Sequence, residues 1–227
     1  MNQQRMHRSP RLPLKPSEFD RLEMPLFEMD PLCWVNLRFV EFASESGLFY
    51  PNPGARLTPF SLKVPCLYLA QTEKTAFLEL YGDKLYLARQ SGKQMILPEE
   101  ELNRRVYIRV QTKPLRLCDL VRKGSGSKLH LDAGTLWASD FEYPQRFAEA
   151  IHGHPAGVDG IRYQSRHTDE ICMVVWERRH GLVHLEKTPP TLLRSHISAT
   201  DIRTVRLFGE EMTLAGTRQT FDELTRD

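Results

Sequence analysis

The chain has 227 residues, room for one substantial domain that buries roughly 70 % of its unfolded surface without a disulfide or metal staple. Its 41 % hydrophobic and 26 % charged residues exclude wholesale disorder, and no apolar run reaches the ~20 residues that span a bilayer. The 31 Lys and Arg against 29 Asp and Glu leave a formal +2, too balanced to indicate nucleic acid as a partner.

Cys33, Cys66, Cys118 and Cys172 are scattered and form no CxxC pair, a pattern that suits buried reduced thiols. The opening MNQQRMHRSPRLPLK has four basic residues and no acid, and no apolar stretch follows it. It does not read as a secretory signal, so a cytoplasmic protein is expected.

Residues 1–30 hold Pro10, Pro13, Pro16 and Pro25, with Pro31 just beyond, and read as an irregular arm ahead of a single domain, 31–227. LCWVNLRFVEF, Leu32 to Phe42, is rich in β-formers and predicts a strand. The next ~20 residues carry Gly47, Pro51, Pro53, Gly54 and Pro59, and a loop that long suggests binding. CLYLA (66–70) is a short buried strand. Thr72 as N-cap and Glu73 in the first turn start a helix through Tyr81. KLYLARQ (84–90) and RVYIRVQT (105–112) look like strands, LPEEELNRR (97–105) a short helix or connector, and KGSGSK (123–128) a flexible loop. YPQRFAEAIH sets Phe147, Ala148 and Ile151 on one helical face. VDGIRY and ICMVVWE flank the polar loop QSRHTDE, LVHLEK and TVRLF follow as strands, and QTFDELTRD closes the chain as a helical segment. Strands outnumber helices in mixed order, which predicts an α+β fold.

Several familiar motifs are missing. GxGxxG, a Walker A lysine loop, HExxH and GxSxG do not occur. GSGS at 124–127 lacks the Lys-Ser/Thr pair of a phosphate cradle, and His152, His154 and His167 lack an ordered carboxylate partner, so no metal site is expected. Three positions remain. Arg38 sits inside an apolar strand, where a guanidinium must find an anion or be misplaced. Glu79 lies on the helix behind CLYLA. Ser165 follows the DGIRY strand.

Together these residues resemble the RES domain, named for its arginine, glutamate and serine. VPCLYLAQTEKTAFLEL is similar to that family's strand, Leu-Ala and Thr-Ala-x-x-Glu segment. FAEAIHGHPAGVDGIRYQSRHTDEICMVVW is similar to its helix, Gly-x-Asp-Gly-Ile-x-Tyr-x-Ser loop and closing strand. The resemblance covers about residues 32–178. It implies an ADP-ribosyltransferase-like fold of the diphtheria-toxin type, a mixed sheet core with flanking helices. It also implies NAD as substrate, with no cofactor and with phosphate as an alternative acceptor to water, and a role as the toxin of a toxin–antitoxin pair. A neutralising antitoxin, Xre-like in such pairs, would be a separate chain; neither membrane nor nucleic acid is a direct partner. By matched position, Glu79, Arg38 and Ser165 are the catalytic candidates, and Arg56 and Tyr68 bind substrate. Around Arg56 the run Pro-Gly-Ala-Arg-Leu departs from the family's Gly-Arg-aromatic pattern. Transfer of ADP-ribose to a macromolecule, or a catalytically silent binding domain, are the alternatives.

The chemistry suits these residue types. Nicotinamide leaves NAD as a neutral base, so one carboxylate beside the oxocarbenium-like centre can suffice where most glycosidases need two. Arginines match a pyrophosphate, with Arg38 expected to offer a bidentate fork, and a tyrosine can stack on the nicotinamide ring.

Overall fold

In the computed structural model the described residues are 15–215, apart from 53, 61–63, 132, 137–140, 178–180, 182, 187 and 200–203. The elements follow in order as α1 (Pro16–Phe19), β1 (Leu26–Met29), β2 (Cys33–Phe39), β3 (Tyr50–Pro51), β4 (Pro65–Ala70) and α2 (Glu73–Gln90). Then come β5 (Met95–Pro98), α3 (Glu99–Arg104), β6 (Arg105–Thr112), β7 (Leu115–Asp119), α4 (Ser125–Lys128), α5 (Ala133–Leu136) and α6 (Glu142–Gly153). The chain continues through β8 (Gly160–Gln164), β9 (Ile171–Trp176), β10 (Val183–Leu185), β11 (Thr191–Leu192), β12 (Ile197–Ala199), β13 (Thr204–Leu207) and β14 (Glu210–Ala215).

The main sheet runs β1-β7-β8-β9-β4-β2-β6-β10, with β3 beside β4 and β11 beside β6. Among the described residues, only β7 and β8 are parallel in it. A smaller sheet, β12-β13-β14-β5, uses a parallel β14–β5 pair. This is the expected α+β architecture, with mixed sheets and flanking helices. Strand alternation divides the apolar residues between two cores. On β9, Cys172, Val174 and Trp176 face α2 and α6, while Met173 and Val175 face the opposite side.

The prolines at 25 and 31 bracket an ordered strand instead of marking an irregular arm. β1 pairs with β7, and Phe19 is buried edge-on against Phe147. Residues 1–14 lie outside the described residues, as does the expected helical segment at 219–227. The expected strand at 84–90 is instead the last two turns of α2. There Leu85 is buried while Tyr86 and Leu87 are 59 % and 62 % exposed, so the Leu-Tyr-Leu alternation reports solvent exposure of two large side chains. The helical face of α6 is as expected, with Phe147, Ala148 and Ile151 all buried.

Two features of this framework shape a cleft. First, β2 pairs along its whole length with β6 but meets β4 at a single position, Val35 opposite Ala70. The sheet is open beyond that point, and the Asn36 side-chain amide spans the gap to the Tyr68 carbonyl at 2.6 Å. Second, the Asp-Gly of DGIRY is structural. The Asp159 carboxylate accepts from the Arg116 amide at 2.9 Å, and a Cβ on Gly160 would lie 2.0 Å from the Val174 carbonyl oxygen. Only glycine lets β8 approach β9 this closely.

Candidate active site

Glu79 lies midway along α2. The Thr72 side chain caps this helix by accepting from the Thr75 amide at 3.2 Å, as its position in the sequence predicts. The Glu79 carboxylate has one hydroxyl donor for each oxygen. Ser165 Oγ donates to Oε1 at 2.6 Å, and the Tyr163 hydroxyl donates to Oε2 at 3.1 Å. Burial, reinforced by the Glu79 charge, pushes the Tyr163 phenol well above its ordinary value, so it stays protonated as a donor. Residues 86 positions apart in the chain therefore converge on one carboxylate.

A cleft of ≈ 400 Å³ opens above Glu79, where β2 and β4 separate. Its walls include Tyr50, Arg56, Tyr68, Phe141, Arg166 and His167. Arg56 donates to the Leu136 carbonyl at 3.2 Å and its guanidinium lies 4.5 Å from the centre of the Phe141 ring. Burial and the neighbouring Arg166 charge lower its pKa. Tyr68 presents its ring to the cleft, while its hydroxyl accepts from the Leu57 amide at 3.0 Å and sits 3.3 Å from Thr58 Oγ1. That hydroxyl holds the segment carrying Arg56, and burial keeps it protonated.

Arg38 requires a correction. It is 3 % exposed and is not among the side chains lining the cleft. Its Nε donates to Asn36 Oδ1, one terminal nitrogen donates to the carbonyls of Phe42 (2.9 Å) and Gly47 (2.7 Å), and the other to that of Leu48 (2.9 Å). Four of the five guanidinium donors are thus committed within the protein, leaving no bidentate fork for a pyrophosphate. Burial pulls its pKa down to about 10, so the charge persists at neutral pH. Arg38 organises the 42–48 turn beside the cleft and, through Asn36, the split between β2 and β4.

The remaining site residues, among them His167, which the sequence reading considered only as a metal ligand, come from the Ser165 loop and its partner helix. The His167 amide donates to Ser165 Oγ at 3.2 Å, and its imidazole Nε2 is 3.5 Å from Asp83 Oδ1. Burial holds that imidazole below the ordinary histidine range. The ring lies flat on Gly82: a Cβ there would be 2.6 Å from Cε1 and Nδ1. Arg166 pairs with Asp83. The loop is tied to the start of the same helix, because Thr72 and Thr75 both donate to Glu170 Oε2 and Thr75 also meets Thr168 at 3.0 Å.

The RES domain family model matches residues 34–200, most of the chain. The chain belongs to the RES domain family. Its matched span includes every site residue above, from Asn36 to Glu170. Among solved structures, this RES domain chain is similar to one in the crystal structure of the M. tuberculosis MbcT–MbcA toxin–antitoxin complex. The TM-score is 0.55 at 16 % sequence identity, covering 79 % of this chain and 96 % of the other. At that identity the likeness is one of fold. No curated protein matches the sequence. Among the described residues, no helix is long and apolar enough to cross a membrane.

Proposed function

We propose that this RES domain chain cleaves NAD at the nicotinamide–ribose bond and acts as the toxin of a toxin–antitoxin pair. The observation that carries the reading is the Glu79 carboxylate, aimed by two hydroxyls into a cleft walled by aromatic rings and arginines. In the reaction the glycosidic C–N electron pair leaves with nicotinamide, which departs neutral and needs no proton. The ribosyl centre becomes oxocarbenium-like. Glu79, held in place by Ser165 and Tyr163, stabilises that charge. Water adds to the centre and loses its proton to solvent, giving ADP-ribose. Phosphate in place of water gives the 1″-phosphate.

Tyr68 and Tyr50 offer ring faces to the nicotinamide. Arg56 and Arg166 supply the positive charge that Arg38 does not. A separate antitoxin protein fits this reading, since the similar fold occurs in a toxin–antitoxin complex.

The test is Glu79→Gln, which keeps shape and hydrogen bonding while removing the charge. Nicotinamide release should fall on the order of 10²–10³-fold, about 3–4 kcal/mol, with a smaller change in KM. A folded Glu79→Gln protein that turns over NAD at the wild-type rate refutes the assignment. Free ADP-ribose, its phosphate ester or a labelled macromolecule as product separates hydrolysis, phosphorolysis and transfer.

A further inference from the structure

We propose that a second cleft, across the Ser165 loop from Glu79, binds the adenosine diphosphate half of the dinucleotide. This rests on the NAD reading and deepens it. The cleft encloses ≈ 710 Å³ between the segment after β7 and the segment after β8. Those two strands are the parallel pair of the main sheet, with Leu117 opposite Gly160 and Asp119 opposite Arg162. The chain therefore leaves both at the same edge and diverges, one branch into 120–131 and the other into 165–169. The diverging loops leave room at the carboxyl ends of the two strands and present side chains to it.

The two clefts share a wall. Tyr163, Arg166 and His167 line both, so a ligand lying over Arg166 reaches from one into the other. The charge of the second cleft suits a diphosphate. Arg122, Lys123 and Arg166 line it, against one acid, Asp169. Leu120, Leu131 and Leu136 give it an apolar surface of the kind a purine ring covers. The Glu79 cleft alone is about half as large and has two arginines, one stacked on Phe141 and one paired with Asp83. With Arg38 committed to its turn, the added cations across the loop are the ones placed to hold the far phosphate. The substrate then runs from nicotinamide beside Glu79, through pyrophosphate at Arg166, to adenosine between Arg122 and Leu131.

The experiment compares two substrates with the same scissile bond, NAD and nicotinamide mononucleotide, of which only NAD carries the adenylate half. In the double variant Arg122→Ala/Lys123→Ala, both positions exposed, the preference for NAD, as the ratio of kcat/KM values, should fall about tenfold or more. Direct titration with ADP should show weaker binding by a similar factor. Gly126→Phe provides a steric arm. A Cβ at Gly126 meets nothing closer than 4.0 Å and Gly126 lines the cleft, so a side chain growing from there should fill it and raise KM for NAD, with a thermal melt to check the fold.

An unchanged preference, or ADP binding that is absent from the wild type or equal in the variant, overturns the proposal. If the wild type releases no nicotinamide from either substrate, the NAD reading fails. The ADP titration on the same proteins then still decides whether this cleft is a nucleotide site.

Discussion

Gly82→Ala tests whether the geometry around Glu79 is set by the His167 contact. Alanine is the better helix former by about 1 kcal/mol in a helix interior. If position 82 had room, the variant would melt roughly 2–4 °C higher and keep its activity. It has no room. The new Cβ would stand 2.6 Å from two imidazole atoms, where ordinary contact begins at 3.4 Å, so the ring must retreat by about 0.8 Å. The His167 amide donates to Ser165 Oγ, and Ser165 donates to Glu79, so a retreat that carries the His167 backbone with the ring reaches the carboxylate through two hydrogen bonds. A misplacement of about 1 Å at a reacting group can cost on the order of 10²-fold in rate. Nicotinamide release measured beside a thermal melt should show a large loss of kcat, with a melting point near or above that of the wild type. Gly82→Ala/His167→Ala removes the collision and should bring turnover back to the level of His167→Ala alone. Wild-type turnover in Gly82→Ala, or a double variant no better than Gly82→Ala alone, would refute this account of the site.

Three further outcomes follow from the same contacts. Arg38→Ala leaves the carbonyls of Phe42, Gly47 and Leu48 without their donor. It should lower stability by about 2–4 kcal/mol, read as a fall in melting temperature, whereas a purely substrate-binding arginine would raise KM and leave the melt unchanged. Tyr163→Phe removes one donor to Glu79 and should reduce kcat by about tenfold, since a hydrogen bond to a charged group is worth about 1.5–3 kcal/mol. The His167 imidazole is held below its ordinary value of 6.5 by burial, with Arg166 and Arg56 pushing the same way and Glu79 and Asp83 opposing. The folded state favours the neutral ring. The stability it contributes is therefore complete above pH about 6.5 and is lost as pH falls through the lower folded-state value. Melts taken from pH 7.5 down to 5 should show this loss, and His167→Gln should remove part of it.

Local signals in the sequence predicted local structure well. Thr72 and Glu73 mark the start of α2, and spacing alone puts Phe147, Ala148 and Ile151 on the buried face of α6. The end of α2 was hidden because Tyr86 and Leu87, both large and apolar, sit on the solvent side and imitate a strand. β1 was masked by flanking prolines whose missing amides lie outside the paired residues. For the site, Glu79 and Ser165 were identified through the resemblance, and the 2.6 Å contact bears out their convergence. Arg38 stands out in the sequence as a cation in an apolar strand, where an anion is the expected partner. Its acceptors are backbone carbonyls of an irregular turn, and no side-chain pattern encodes those. Gly82 against His167 joins residues 85 positions apart, a steric fit that appears only once the loop is docked.

The spacing of the loop contacts along α2 explains why one carboxylate can be held so firmly. Thr72, Thr75, Glu79, Gly82 and Asp83 fall at intervals of three, four, three and one, so they form one stripe across three helical turns. The segment 165–170 lies along that stripe in the opposite direction. Glu170 meets Thr72 and Thr75, Thr168 meets Thr75, Ser165 meets Glu79, His167 covers Gly82 and Arg166 pairs with Asp83. Contacts on both sides of Glu79 fix the loop, so the Ser165 backbone cannot move away from the carboxylate without breaking anchors one turn above and one turn below. Arg38 fixes the facing wall separately, by gathering the 42–48 turn onto β2. The carboxylate and the wall opposite it are thus preorganised by two independent clamps. On the proposed NAD reading, a substrate between them would meet charge already oriented toward the bond that breaks, which is the condition under which a single carboxylate is effective.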